Sequence, residues 1–301
     1  MDLFNLYKQY KPELSDSSIH NYINNIERLV NNNYRSLDKF EDIIDDINEL
    51  PVSDLTKRNY VSSVITYLKM VDSPSLPLYS AYYDQITKEY MKGSNNQEKT
   101  EKEKNNWVEL KQLRYILKRK YTKLNKAGVF DKDKLNNEEY KQLLFYVLGN
   151  LYIGSDKHPP LRNDYIMRVI NKNEYNRDDK GNYLVLDGDD MFYHIGKYKT
   201  DKIYGIKQIK ICKKIKKILH LWLKHNTSGF LLTTTTRAIL SKNNLTKYLN
   251  KTFEETGKNI SSTMLRHIYL SDRFPADLNK RNKTADLMCH SVSQGMKYAK
   301  K

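Results

Sequence analysis

Residues 183–211 read YLVLDGDDMFYHIGKYKTDKIYGIKQIKI and contain three short runs with the composition of β-strands. The runs are 183–188, 191–196 and 203–211, and turn-forming segments rich in Asp, Gly and Lys separate them. Apolar residues that alternate between such turns are typical of antiparallel strands joined by hairpins. The stretch therefore predicts a small three-stranded antiparallel sheet.

Helical patterns flank this sheet on both sides. Apolar residues at three- and four-residue steps predict amphipathic helices, and after residue 106 these are 107–126, 137–153, 161–170, 213–225, 242–256, 262–271, 278–289 and 293–300. Before residue 92 the same pattern predicts a bundle of four helices, the first capped by Ser15 or Asp16 and the second ended by Pro51. The predicted fold class is mainly α with a small three-stranded antiparallel sheet.

A segment without apolar residues divides the chain. Residues 92–106, KGSNNQEKTEKEKNN, have no side chain that would bury a hydrophobic face, so they are predicted to be an exposed linker. The sequence thus predicts two domains, a helical bundle over 1–91 and a larger domain over 107–301.

The charge is distributed unevenly between these parts. Residues 1–91 contain nine Lys and Arg against 14 Asp and Glu, net −5, whereas residues 92–301 contain 43 against 22, net +21. The total of +16 indicates a polyanionic partner, most simply nucleic acid. The positive charge belongs to the larger domain.

Several classes of protein are disfavoured by the composition. Cys212 and Cys289 are the only cysteines, too few for a disulfide framework or a four-thiolate zinc site, and they fit a reducing compartment. No apolar run approaches the roughly 20 residues that span a bilayer, and the N-terminus has no signal-peptide pattern. We expect an intracellular protein with no metal or cofactor and no membrane segment.

Residues suited to phosphoryl transfer occur in a recognisable order. They are Arg162 in Pro-Pro-Leu-Arg-Asn-Asp, Lys199 in a hairpin turn, Arg266 in Thr-Met-Leu-Arg-His, His290 in Met-Cys-His-Ser and Tyr298 in Met-Lys-Tyr. This ordered set resembles the catalytic domain of the tyrosine recombinases, the phage integrase family, over about residues 107–301. By position and class, the helices of 1–91 suit the family's core-binding domain.

The resemblance implies a role for each residue. Tyr298 would be the nucleophile that attacks a DNA phosphate and forms a 3′-phosphotyrosine, Arg162 and Arg266 would bind the phosphate, Lys199 would protonate the leaving oxygen, and His290 would be the later histidine. It also implies double-stranded DNA as substrate, a homo-tetramer on two DNA sites, and no requirement for metal or ATP.

Chemistry explains why these residue types are needed together. Two arginines present planar, permanently charged forks to the non-bridging oxygens of a crowded, doubly negative transition state. A lysine can give a proton to the departing oxygen. A free tyrosine has a pKa of about 10, so a nucleophilic tyrosine needs cationic neighbours.

The sequence departs from the family pattern and leaves alternatives open. Thr263 stands where the family has a histidine, and Tyr298 follows His290 by eight residues where nine is more usual. Lys197 and Lys202 compete with Lys199, and His267 is predicted to pack or to support Arg266. Four further lysines form either a track for the DNA backbone or a solvated face: Lys207, Lys210, Lys213 and Lys214.

The sequence is also compatible with two other functions. A type IB topoisomerase-like enzyme would use the same chemistry but rejoin the same strand. A non-catalytic DNA-binding protein with this fold would use none of it, and Thr263 favours that alternative.

Overall fold

The structure, a computed structural model, describes residues 2–30, 34–95 and 98–273, together with Thr284 and Met288. It is mainly helical and contains a mixed sheet of four strands. The chain forms two compact units, Met1–Asn96 and Gln97–Lys301. The elements of the first unit are α1 Leu3–Tyr10, α2 Asp16–Val30, α3 Phe40–Glu49, α4 Asp54–Met70 and α5 Leu76–Asn95.

The first unit is a helical bundle around a core of its own, which includes Tyr7, Ile26 and Val61. The helix α1 is absent from the sequence prediction. Its N-terminus is capped by Asp2, whose carboxylate accepts a hydrogen bond from the Phe4 amide at 3.0 Å. The helix α5 begins three residues earlier than predicted, because a proline in the first helical turn has no hydrogen bond to lose.

The second unit contains the remaining elements. They are α6 Glu101–Asn106, α7 Leu110–Lys126, α8 Asn137–Ile153, β1 Arg168–Asn171, β2 Asn182–Asp187, β3 Asp190–Ile195, α9 Asp201–Tyr204, β4 Lys207–Lys210, α10 Lys213–His225, α11 Lys242–Thr252 and α12 Ser262–Arg273. The predicted helices 137–153 and 213–225 are confirmed. The helix α8 packs against α7, α10, α11 and α12, and its last eleven residues are all buried.

The sheet differs from the prediction of three antiparallel strands. It has four strands in the order β1-β2-β3-β4, and β1 pairs with β2 in parallel while the other pairs are antiparallel. The predicted helix 161–170 is therefore wrong, since its last residues form β1. A strand of four residues is too short for its alternation to be distinguished from helical spacing.

The predicted strand 203–211 is also shorter in the structure. Only Lys207–Lys210 pairs with β3, and Asp201–Tyr204 forms the short helix α9 instead. Gly205 separates the two elements with a φ of +62°, a conformation that glycine adopts without steric penalty. The connection between β3 and β4 is consequently longer than a tight hairpin turn. Within it, Ile203 is 76% exposed.

The segment predicted to be an exposed linker contains ordered structure. Its last six residues form α6, where Thr100 and Glu103 make a reciprocal capping box. This pairing stabilises a helix that has no apolar residue. Among the described helices, none is long and apolar enough to cross a bilayer.

Candidate active site

Arg162 lies in the loop that joins α8 to β1, and two buried tyrosines hold this loop. The phenol of Tyr152 donates to the carbonyl oxygen of Arg162 at 3.0 Å, and the phenol of Tyr165 donates to the carbonyl of Leu151 at 2.7 Å. Nη1 of Arg162 is buried and has no hydrogen-bond partner among the described residues. Its guanidinium therefore has a donor left for a ligand.

Arg266 lies in the second turn of α12 and is only 2% exposed. Burial raises the pKa of Tyr152 well above its ordinary value, and the positive charge of Arg266 opposes that increase. The same opposing effect of Arg266 acts on the pKa of Tyr165. The charge of Arg266 thus acts on one tyrosine at the end of α8 and on another in the loop that contains Arg162.

Asp164 connects the two arginines electrostatically. Burial raises the pKa of its carboxyl group, while the charges of Lys242, Arg162 and Arg266 oppose that increase. The half-buried carboxyl group of Asp164 is therefore within the electrostatic range of three cations. Both arginines of the ordered motif therefore act electrostatically on the same carboxyl group.

Asp164 and Lys242 are site residues that the sequence analysis did not single out. Asp164 follows Arg162 by two residues, so its nearness in the sequence was the available signal. Lys242 begins α11 after the capping residue Ser241, and nothing local connects it with either arginine. Its charge acts on the carboxyl group of Asp164, and α11, which it begins, packs on α8.

Thr263 and His267 lie on the same helix as Arg266. Thr263 is exposed in the first turn of α12. His267 is largely buried, and its Nδ1 lies 2.5 Å from Oε1 of Glu103. Its partner is a side chain from the stretch predicted to be a linker.

The three candidate lysines lie in the connection between β3 and β4, and two hydrogen bonds fix the start of this connection. The side-chain oxygen of Asn182 accepts from the amides of Gly196 and Lys197, at 3.1 and 2.9 Å. Lys197, Lys199 and Lys202 are exposed, and their ammonium groups form no ion pair with any residue that the structure describes. No contact within the described chain joins them to the arginine pair.

His290 and Tyr298 lie outside the described residues. Of the residues near them in the sequence, Met288 is described and is 1% exposed. It packs in a cluster with Tyr269 and Leu270 of α12. A point two residues before His290 in the sequence therefore lies against the helix that contains Arg266.

The four lysines of the predicted DNA track have different surroundings. Lys210 and Lys213 are exposed, whereas Nζ of Lys207 lies 5.7 Å from the ring centre of Tyr204. Nζ of Lys214 donates to the carbonyl of Gly154 at 2.6 Å. Lys214 therefore also ties the start of α10 to the end of α8.

A further basic surface lies on α7, which the sequence analysis did not identify. This helix has seven Lys and Arg residues and no acidic residue. Two of the cations are paired, Arg114 with Asp156 and Arg119 with Glu255. The other five add to the positive charge of the second unit.

Comparison with known proteins gives a weak likeness to solved structures. No protein-family model matches the chain, and no curated protein matches its sequence. Among solved structures, the chain is similar to XerA recombinase with a TM-score of 0.39 and 13% sequence identity, over 99% of this chain and 92% of that one. An identity and a TM-score this low assign neither a family nor an activity.

Proposed function

We propose that this protein is a site-specific DNA recombinase that cleaves and rejoins DNA through a 3′-phosphotyrosine intermediate. The observation that carries the proposal is that the charges of Arg162 and Arg266 both act on the carboxyl group of Asp164. Two guanidinium groups from distant parts of the chain are the arrangement that a phosphate transition state requires. They are also the first and third members of the ordered set in the sequence.

The arginine pair would bind the scissile phosphate. Nη1 of Arg162 has a free donor, and Arg266 is held out of water, where its charge acts more strongly on a bound anion. In this role Asp164 holds the two guanidinium groups in place before the phosphate arrives. Such preorganisation supplies a large part of enzymatic charge stabilisation.

The chemical step is a transfer of the phosphoryl group to Tyr298. The phenol oxygen loses its proton to solvent and forms a bond to phosphorus, and the bond between phosphorus and the 5′ oxygen breaks. Lys199 gives a proton to the departing 5′ oxygen, and His290 assists at the phosphate. The phosphotyrosine conserves the bond energy for rejoining, so the cycle consumes no ATP.

Double-stranded DNA is the proposed substrate. The net charge of +21 after residue 91 and the exposed cations Lys210 and Lys213 supply the electrostatic attraction that DNA binding requires. Exchange of strands between two duplexes needs four cleaving subunits, so we propose a homo-tetramer on two DNA sites. The assembly would act inside the cell, where that DNA resides.

A second candidate function is a DNA-binding protein without catalysis. Thr263 favours it, because a threonine hydroxyl does not titrate near neutral pH as a histidine does. A type IB topoisomerase-like enzyme stays the alternative within the same chemistry. The products of the reaction distinguish these candidates.

The test is a search for the covalent intermediate. Duplexes selected by the protein from a random library would be nicked near the centre so that cleavage releases a short fragment and traps the adduct. We expect a protein–DNA adduct that survives denaturation, and its loss in Tyr298→Phe with duplex affinity retained. The matched control is Tyr10→Phe, which removes an exposed hydroxyl from α1.

Each result has one interpretation. An adduct that persists in Tyr298→Phe would refute the assignment of the nucleophile. Tight duplex binding without any adduct would support the non-catalytic protein. Relaxation of supercoiled plasmid by a monomer, without recombinant products, would support the topoisomerase.

A further inference from the structure

The helix α6 is fastened to the rest of its unit through a buried carboxylate. Glu103 is 8% exposed, although the segment around it has no apolar side chain to pack. Its Oε2 accepts from the amide and the hydroxyl of Thr100, at 2.8 and 2.9 Å. The capping box therefore occupies one oxygen and leaves Oε1 for another partner.

That partner is His267, the residue after Arg266. The distance between Nδ1 of His267 and Oε1 of Glu103 is 2.5 Å, and the two side chains are 13% and 10% exposed. With the carboxylate ionised, the ring nitrogen is the donor. A charge-assisted hydrogen bond between two side chains that are so well shielded from water is among the stronger polar contacts in proteins.

Two further hydrogen bonds fix the other end of α6 to the segment that leads into α12. Nζ of Lys258 donates to the carbonyl of Asn105 at 2.6 Å. The amide of Asn259 donates to the side-chain oxygen of Asn106 at 2.8 Å. Together with Glu103, these contacts attach α6 both to α12 and to the chain just before it.

We propose that Glu103 is a positioning residue for Arg266 and acts through His267. Successive residues on a helix point about 100° apart, so His267 and Arg266 face different sides of α12. Glu103 fixes the rotation of the helix from one side, through His267, while the charge of Arg266 acts on Asp164. Misplacement of a catalytic group by about 1 Å can slow a reaction about a hundredfold.

This inference deepens the proposed function and rests on it. It gives α6, a helix of the second unit, a role in the chemistry of the two arginines. A purely structural role for the contact predicts instead that its loss lowers stability and leaves the reaction of the folded protein unchanged.

The test breaks the contact and then restores it. His267→Phe keeps a ring of similar size but removes the donor, whereas His267→Asn places an amide nitrogen near the position of Nδ1. The control is Glu101→Gln, which removes the exposed ion pair with Lys104 on the same helix. The rate of adduct formation in a single turnover at saturating duplex is measured together with duplex affinity and thermal unfolding.

We expect His267→Phe to slow adduct formation about tenfold or more, with duplex affinity within about twofold of the unmodified protein. We expect His267→Asn to recover most of the rate and Glu101→Gln to react normally. We expect the double variant Glu103→Ala/His267→Phe to form the adduct no more slowly than the slower of the two single variants. The reason is that both substitutions remove the same contact. A normal rate in folded His267→Phe would overturn the proposal.

Hydrogen exchange tests the positioning independently of activity. We expect the backbone amides of α12 around Arg266 to exchange faster in His267→Phe and at the normal rate in His267→Asn. If the unmodified protein forms no adduct, the proposed function fails. The positioning claim fails on its own if exchange in α12 is the same in all variants.

Discussion

The phenol of Tyr152 donates a hydrogen bond to the carbonyl oxygen of Arg162, and this bond links the core helix α8 to the loop of the candidate site. Tyr152 is fully buried, and burial raises its pKa well above the ordinary value, so it stays a neutral donor. The position of the first arginine therefore depends on a residue of the hydrophobic core.

We expect Tyr152→Phe to destabilise the protein by about 1–3 kcal/mol, because the carbonyl of Arg162 loses its partner inside the protein. Adduct formation should slow by more than the stability loss explains, since the loop is then less well held. Urea unfolding and single-turnover cleavage measure the two effects. Normal cleavage by the folded variant would show that this bond only stabilises the fold.

Acid is expected to destabilise the protein through His158. Burial lowers the pKa of His158 to about 4, below the roughly 6.5 of an unfolded chain. Between these two pKa values, the unfolded state therefore binds a proton at this histidine and the folded state does not. The stability of the fold falls as the pH drops from about 6.5 toward about 4. Between pH 7 and pH 5 the loss from this one group is about 2 kcal/mol.

Urea unfolding of His158→Phe at pH 7 and pH 5 checks this expectation. The variant keeps an aromatic ring among Tyr165 and Tyr193 but has no proton to bind. Its stability should decrease less between the two pH values than that of the unmodified protein. An equal decrease would assign the acid sensitivity to other groups.

The general acid can be identified among three exposed lysines by changing the leaving group. We expect Lys199→Ala to lower the cleavage rate by about 10²–10⁴-fold. A substrate with sulfur in place of the 5′ bridging oxygen should restore the rate, because a thiolate departs without a proton. Lys197→Ala and Lys202→Ala are the controls, and rescue of either one instead would reassign the role.

The lysines near β4 should affect DNA binding in different ways. Lys210→Ala and Lys213→Ala are each expected to reduce the slope of log K against log salt by about 0.9, the effect of one lost phosphate contact. Lys216→Ala, which breaks an ion pair with Asp190, is the matched control. An unchanged slope in both variants would identify these lysines as a solvated face.

Lys214→Ala is expected to act mainly on stability, since its Nζ holds the carbonyl of Gly154. We expect a loss of about 1–3 kcal/mol in urea unfolding. A large change in salt slope without loss of stability would contradict this interpretation.

Local patterns in the sequence predict much of the helical fold. The helices 137–153 and 213–225 are correct because helical periodicity depends on neighbours three and four residues apart. The short strand β1 and the helix α9 were missed for the opposite reason. Each has only four residues, and pairing with another part of the chain or a glycine turn decides its conformation.

The sequence by itself determined the order of Arg162, Lys199, Arg266, His290 and Tyr298, and with it the chemistry to look for. Only the tertiary structure shows that the charges of both Arg162 and Arg266 act on Asp164, and that His267 contacts Glu103. These contacts join residues far apart in the chain, and no local period records them. They exist because helices bury their apolar faces together, and that packing brings the polar partners within reach.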